Sequence, residues 1–135
     1  MPWEKLSPTG DMLPIAPFVP GAAAGGFVFT SGSGAGDPEG NIVHVGDIKW
    51  QTAYTINLIK DVIEDGGGTL KDGVFNSIFI KDWSDYKAMN DVYATFFLDP
   101  PPPRYCIQAG LVLPELLVEI QSVAYVGTQN EKISD

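Results

Sequence analysis

The residues of this sequence whose types and spacing could do chemistry lie in its C-terminal third. Arg104 is the only arginine among the 135 residues, and Cys106, two positions later, is the only cysteine. Glu119 follows the arginine by fifteen positions, inside the apolar stretch LLVEIQSVAYV. A guanidinium suits two-point recognition of a carboxylate, and a carboxylate within an apolar strand needs a partner or a water-lined cleft. Arg104 and Glu119 therefore indicate a site for a small anionic molecule.

Each of these residues also has a plainer interpretation. Arg104 could pair on the surface with one of the 17 acidic residues, and Glu119 could lie on the solvated face of an edge strand. The proline run Pro100 to Pro103 favours the binding role, because rigid backbone restricts where the guanidinium can point. Cys106 shares a strand face with Arg104 by period two, yet no histidine neighbours it in sequence. A small buried hydrophobe is therefore the favoured interpretation of Cys106, ahead of a nucleophile.

Two glycine-rich pieces, 21–26 and 31–36, resemble ligand-binding loops only superficially. Neither matches the dinucleotide fingerprint or the phosphate loop, so no nucleotide cofactor is predicted. In the second piece, Ser31 and Gly32 could offer hydrogen bonds to a ligand at a strand end, and a plain turn is the alternative. The single histidine, His44, is interpreted as a strand residue. With one histidine and one cysteine the chain has no cluster for a zinc or copper site, so no metal is predicted.

The charge and hydropathy of the chain limit its partners. A formal charge of -9 repels phosphate backbones and anionic membranes, which argues against a nucleic-acid partner. No apolar run approaches the roughly 20 residues that span a bilayer, and the first ten residues lack the pattern of a signal peptide. The sequence therefore predicts a cytoplasmic protein without membrane association. Hydrophobic residues make up 44%, which indicates apolar surface buried between subunits.

Periodicity predicts one α+β domain with the order β-β-α-β-α-β-β and both helices on one face of a mixed sheet. Asp47 is predicted to cap the first helix and Ser84 the second. In the last strand, alternation places Leu117, Glu119 and Gln121 on one face and Val118 with Ile120 on the other. The predicted strands are Phe27 to Ser31, Ile42 to Val45, Val74 to Ile80, Tyr105 to Leu111 and Leu116 to Val126, and the first two are predicted to form a hairpin. The first helix is predicted from Ile48 to Glu64, and the apolar stripe of the second is Tyr86, Met89, Tyr93 and Phe96 or Phe97.

Five motifs, APFVPG, TSG, NDVYATFF, PRYCIQ and LVEI, occur in the order and spacing of the Rid enamine/imine deaminases, also called the YjgF family. The resemblance covers about Leu13 to Val126. It implies a chorismate-mutase-like fold in a single domain of residues 1–135, with a core of about 13–126 and short flexible termini. It also implies a homotrimer with clefts between subunits, and a hydrolysis that needs no cofactor.

By motif position, the resemblance assigns Arg104 to the substrate carboxylate and Glu119 to the holding or activation of water. Backbone groups of Gly32 and Cys106 would orient the substrate, with Ser31 and Asn90 lining the cleft. Phe18 stands where many family members have tyrosine, and Pro103 replaces the more usual alanine before the arginine. These departures bear on which enamine the site accepts, since Phe18 cannot donate a hydroxyl hydrogen bond.

The longer matches FNSIFIKDW and CIQAGLV look most like the subgroup that acts on 3-aminoacrylate in pyrimidine degradation, the RutC-like proteins. The resemblance thus implies hydrolysis of a small enamine or imine acid to a carbonyl acid and ammonia. Two alternatives stay open. One is a deaminase for another enamine acid, such as 2-aminoacrylate or 2-aminomuconate; the other is a non-catalytic protein that binds small carboxylates.

Overall fold

A computed structural model of the chain describes residues 2–8 and 16–127. Within them, six strands form one mixed sheet and two helices cover one of its faces, which confirms the predicted α+β class. The strands are β1 Glu4–Leu6, β2 Gly21–Ala24, β3 Phe27–Thr30, β4 Gly73–Ile80, β5 Arg104–Gln108 and β6 Val118–Tyr125. The helices are α1 Ile48–Asp65 and α2 Tyr86–Phe96. The predicted domain start at Leu13 and the last eight residues lie outside this description.

The strands follow the spatial order β1-β2-β3-β6-β4-β5. Neighbours run antiparallel except β4 and β5, which are parallel because α2 carries the chain back across the sheet between them. This connection places α2 directly beside β5. Neither helix in the described part of the chain is long and apolar enough to cross a membrane.

Helix α1 forms where the sequence predicts it. Asp47 caps its start by accepting a hydrogen bond from the Trp50 backbone N–H at 3.1 Å, and a run of three glycines follows its end. Its inward stripe includes Ile56, Ile59 and Ile63, all without solvent exposure. Burying each such side chain contributes about 1.5–3 kcal/mol to folding, so the apolar stripe holds the helix on the sheet.

The two faces of the sheet differ in what covers them. Towards the helices, Val28, Ile78, Val118 and Ile120 are fully buried in the core. The opposite face, which we call the open sheet face, carries aromatic and aliphatic side chains on strands β3, β4, β5 and β6. Those that are more than a third exposed are Phe27, Phe29, Tyr105, Ile107 and Tyr125. This apolar face has no covering layer within the described residues.

The predicted hairpin partner of β3 is wrong. Segment Ile42–Val45 forms no strand; Ile42 makes only an isolated bridge to Gly36, and His44 has a positive φ of 54°. The partner is β2, joined to β3 through Gly25 and Gly26, whose φ values of 58° and 86° suit a tight hairpin turn. The alanine-rich β2 has low strand propensity, so its pairing depends on the sheet and the turn rather than on its own residues.

Smaller corrections concern the ends of elements. Ser84 does not cap α2: a short 3₁₀ turn, Trp83–Asp85, precedes the helix, and Asp82 accepts a hydrogen bond from the Ser84 backbone N–H at 2.8 Å. Strand β5 ends at Gln108, three residues early, and β6 begins at Val118 rather than Leu116. Strand β1 is an addition to the predicted order, because three residues carry too little pattern to be recognised.

Candidate functional site

The two principal predicted site residues lie on opposite faces of the sheet. Arg104 is the register partner of Asn76, a fully buried residue on the helix side. Glu119 is the register partner of Phe79, which points to the open sheet face. Register partners place their side chains on the same face, so one copy of the chain cannot bring both groups to one small ligand. The site residues instead form two separate groups.

The first group, the arginine half-site, consists of Arg104, Tyr86, Asn90, Tyr93 and Cys106. Arg104 Nη2 donates to Asn90 Oδ1 at 2.7 Å and to the Tyr86 hydroxyl at 3.2 Å. The guanidinium carbon lies 4.7 Å from the centroid of the Tyr93 ring, within range of a cation–π interaction. Both of these hydrogen bonds use Nη2, whereas a two-point pair with a carboxylate uses Nη2 together with Nη1 or Nε. Such a ligand would therefore displace one of these two contacts.

Tyr86 and Tyr93, which the sequence places in the apolar stripe of the second helix, contact Arg104 in the structure. Their spacing with Asn90, four and three residues, places all three on one face of α2. That face lies over β5, where α2 is carried by the β4-α2-β5 crossover. The signal in the sequence that could have identified them is the polar Asn90 at helical spacing between the two tyrosines.

A cleft of about 300 Å³ opens beside the guanidinium. Its walls are formed by Asn90 and Ala94 of α2, by Phe97 just after that helix, and by the prolines Pro101 and Pro102. Two of the prolines that precede β5 therefore form part of one wall of the space that Arg104 borders. A larger cleft of about 380 Å³ lies near β1 and β2 and contains none of the predicted site residues.

The second group, the glutamate half-site, consists of Glu119, Gly32, Ser31 and Phe18. The loop after β3 is tied to β6 by paired backbone hydrogen bonds between Ser33 and Ile120, at 2.8 and 2.9 Å. A Cβ on Gly32 would lie 2.8 Å from Glu119 Oε2, so glycine permits this close approach. Within residues 2–8 and 16–127, the Glu119 carboxylate makes no hydrogen bond or ion pair with a side chain, which leaves it available to a ligand.

Ser31 supports this half-site through its hydroxyl and its backbone. The hydroxyl donates to the Val19 carbonyl, and the Ser31 N–H donates to the Pro20 carbonyl at 2.9 Å. These bonds hold the segment that carries Phe18, whose side chain is 60% exposed. The hydroxyl is thus engaged with the chain itself, and Phe18 immediately precedes the residue whose carbonyl it binds.

Cys106 lies half-buried on the same side of the sheet as Arg104, as predicted. Burial raises the pKa of its thiol, while the nearby Arg104 charge acts in the opposite direction. A raised pKa keeps the thiol protonated at neutral pH and so a poor nucleophile. In the described ranges, no three His, Cys, Asp or Glu side chains cluster so as to hold a metal ion.

Comparison with known proteins places this geometry in a family. A profile described as endoribonuclease L-PSP matches residues 9–126. TdcF from E. coli, solved with bound serine, is 28% identical with a TM-score of 0.79, and the match covers 90% of this chain and 98% of that chain. YyfA from Yersinia pestis, described as a Rid-family protein of unknown function, is 26% identical with a TM-score of 0.83, covering 92% and 99%. RidA from an Antarctic Psychrobacter is 25% identical with a TM-score of 0.82, covering 91% and 99%. The chain therefore belongs to the endoribonuclease L-PSP family, which includes the Rid proteins.

Proposed function

We propose that this protein hydrolyses a small enamine or imine carboxylic acid, in a site that two copies of the chain assemble together. The observation that carries the proposal is the separation of Arg104 and Glu119 onto opposite faces of one sheet. Arg104 and Glu119 can each bind a ligand. Neither can reach a ligand that the other holds in the same copy of the chain. A neighbouring copy that docks its glutamate half-site against the arginine half-site completes the cleft.

The open sheet face supports such an assembly. Its exposed aromatic side chains surround the strand that carries Glu119, with Phe27 and Tyr125 in edge-to-face contact at 4.9 Å between ring centroids. A contiguous apolar surface of this kind is typical of a protein interface. The family is typically homotrimeric and binds small ligands, so the proposed assembly is a homotrimer with one cleft at each interface.

The chemistry that we propose uses only side chains and water. The enamine tautomerises to its imine, water adds to the imine carbon, and the carbinolamine expels ammonia to leave a carbonyl acid. Arg104 holds the substrate carboxylate through a charge-assisted pair of hydrogen bonds, which fixes the imine carbon in place. Glu119 accepts a proton as water adds and returns it to the departing nitrogen, so its protonation state is restored at the end of the cycle.

The proposed substrate is 3-aminoacrylate or a close analogue. The motifs FNSIFIKDW and CIQAGLV support this subgroup, and the apolar Phe18 in place of tyrosine separates the chain from many members of the wider family. TdcF was solved with bound serine, itself a small carboxylic acid, which supports a small carboxylate as the ligand. Another enamine acid, including 2-aminoacrylate or 2-aminomuconate, is the alternative within the same chemistry.

Two other functions fit less well. A non-catalytic carboxylate-binding protein would gain little from a second carboxylate beside its anionic ligand, because like charges repel. The family description names an endoribonuclease, but a chain of charge -9 repels an RNA backbone. Glu119, which has no side-chain partner within the described part of the chain, thus favours hydrolysis over simple binding.

The proposal is tested by generating the enamine in situ and following ammonia release above the uncatalysed background. We expect clear acceleration by the wild-type protein, and light scattering should give a mass of about three chains of 14.5 kDa. Ammonia release no faster than background would exclude the deaminase. A stable monomer would exclude the shared cleft.

The Cys106→Ala variant is expected to keep most of the deaminase rate. The thiol is protonated at neutral pH because burial raises its pKa, and the proposed steps form no bond to sulfur. The measurement is the ammonia-release rate of the variant with its oligomeric mass checked in parallel. A rate lowered by several orders of magnitude in an intact oligomer, or a covalent adduct on Cys106, would contradict this role.

The Gly32→Ala variant is expected to lose activity while remaining folded. The added Cβ would displace the Glu119 carboxylate, and a small misplacement of a reacting group slows catalysis by roughly 10-fold to 100-fold. Stability should change little, because the displaced atom ends a flexible side chain. Gly36→Ala is the matched control, since the nearest atom to its Cβ is 4.0 Å away. A normal rate in Gly32→Ala would mean that the position of the carboxylate does not matter.

A further inference from the structure

A chain of buried polar groups runs beneath the sheet from one half-site to the other. The Thr30 hydroxyl donates to the Ser31 carbonyl at 3.0 Å and accepts from the Ser122 N–H at 2.9 Å. The Ser122 hydroxyl donates to Asn76 Oδ1, and Asn76 Nδ2 donates to the Tyr93 hydroxyl at 2.8 Å. Tyr93 in turn lies under the Arg104 guanidinium. The glutamate half-site and the arginine half-site of one copy are therefore joined by side chains of the core.

The four side chains of this polar chain are almost completely buried. Asn76 is fully buried, Ser122 is 1% exposed, and Thr30 and Tyr93 are each 5% exposed. Apolar side chains of similar size would fill the same space without any polar group to satisfy. The mechanism proposed above uses none of the four directly. Each hydrogen bond in this chain restricts the orientation of the side chain that follows it, from Thr30 to Tyr93.

Tyr93 is the point at which the chain meets the site. Its hydroxyl is held by Asn76, and its ring packs against Phe97 with centroids 4.5 Å apart. A ring held at both its hydroxyl and its face has one orientation. Arg104 lies 4.7 Å above that ring, and Asn90 fixes one of its terminal nitrogens from the side. The guanidinium is thus oriented by the Tyr93 ring together with its hydrogen bonds to Asn90 and Tyr86.

We infer that Asn76 and Tyr93 are positioning residues that hold the Arg104 guanidinium in the plane in which it receives a substrate carboxylate. The inference rests on the proposed function for the identity of the ligand, and on geometry alone for the orientation of Arg104. A bidentate pair requires both N–H bonds to point at the carboxylate at once, so a guanidinium free to tilt binds less well.

The first test reads Arg104 directly, without a ligand. Because the chain has one arginine, labelling arginine with the heavy nitrogen isotope gives a single guanidinium Nε–Hε signal by NMR. The variants are Tyr93→Phe, Asn76→Leu and the double variant, and Ile63→Val is a control that weakens the core within α1. We expect the signal to move and broaden in the first three, because the ring beneath Arg104 loses its anchor, and to stay unchanged in Ile63→Val.

The second test separates positioning from stability. Tyr93→Phe leaves Asn76 Nδ2 without its partner, and Asn76→Leu leaves the hydroxyls of Tyr93 and Ser122 without theirs. The double variant removes both members of the 76–93 pair and strands only Ser122, so its loss of thermal stability should be smaller than the sum of the two single losses. Affinity for 3-hydroxypropionate, a stable carboxylate, should instead be lowered roughly fivefold in all three, as expected for a loosened charge-assisted pair. In turnover, KM should rise by a similar factor with kcat nearly constant.

The outcomes separate this inference from the proposed function. An unchanged Arg104 signal, or affinity losses that follow the losses of thermal stability across the three variants, would make the polar chain purely structural and overturn the inference. If wild-type protein binds no 3-hydroxypropionate while the Arg104 signal still responds to Tyr93→Phe, the positioning stands and the proposed ligand is wrong. A shifted Arg104 signal, together with weakened 3-hydroxypropionate binding in all three variants, supports both the positioning role and the proposed function.

Discussion

Replacing Glu119 with glutamine is expected to slow enamine hydrolysis by roughly 100-fold or more, the usual scale for loss of a general acid-base group. Glutamine keeps the size of the side chain and its approach to Gly32, but it cannot accept a proton from water. Binding of 3-hydroxypropionate should survive, because Arg104 of the neighbouring copy is unchanged. The measurement is the rate of ammonia release at saturating enamine, compared with the dissociation constant for the stable ligand.

Glu115→Gln is the matched control for this prediction. Glu115 is an exposed carboxylate four residues before Glu119, so its replacement removes the same charge from the same region without entering the half-site. Its rate should equal that of the wild type. If Glu119→Gln lost ligand binding as severely as turnover, Glu119 would be structural, and its acid-base role would be wrong.

Replacing Arg104 with lysine is expected to weaken carboxylate binding by about 1–3 kcal/mol, the scale of a charge-assisted hydrogen bond. Lysine keeps the positive charge but lacks the planar fork, and an ammonium cannot reproduce the contacts with Tyr86, Asn90 and the Tyr93 ring at once. The loss should appear mainly in KM for the enamine and in the affinity for 3-hydroxypropionate.

Lys87→Gln gives the control for general electrostatics. Lys87 lies on α2 in an exposed pair with Asp91 at 2.9 Å, so its loss changes the net charge near the site but not the guanidinium. Ligand affinity should be unaffected. Equal weakening in Lys87→Gln and Arg104→Lys would mean that the local charge, rather than the geometry of Arg104, governs binding.

Much of the candidate site was predictable from single strands. Strict alternation in β6 correctly separated Glu119 from the buried Val118 and Ile120, and period two correctly placed Arg104 and Cys106 on one face. Such predictions succeed because a strand's own backbone sets the direction of its side chains. The residue types at these positions then limit what chemistry each face can offer.

The relation between strands was not predictable in the same way. That Arg104 and Glu119 face opposite sides of the sheet follows from the register of β4 with β5 and β6. This register pairs Arg104 with a residue 28 positions earlier and Glu119 with one 40 positions earlier. Likewise, the polar roles of Tyr86 and Tyr93 follow from how α2 crosses β5. The apolar stripe of the helix alone predicts that both are core residues. Tyr93 is in fact both a core residue and a contact of Arg104.

The missed hairpin has a related cause. The alanine-rich β2 forms a strand only because β1 and β3 pair with it and two glycines provide the turn, whereas Ile42–Val45 has a better strand composition but precedes the cap of α1. In both places the surrounding structure outweighs local propensity.

Mixing two inactive variants tests the shared cleft most directly. Arg104→Ala and Glu119→Gln chains, unfolded together and refolded, should form mixed oligomers in which a cleft is complete when one neighbour supplies Arg104 and the other Glu119. Random association of equal amounts restores about a quarter of the clefts, so we predict about a quarter of wild-type activity from two nearly inactive parents. Mixed oligomers as inactive as either parent would mean that Arg104 and Glu119 serve a ligand from the same copy, and would contradict the account.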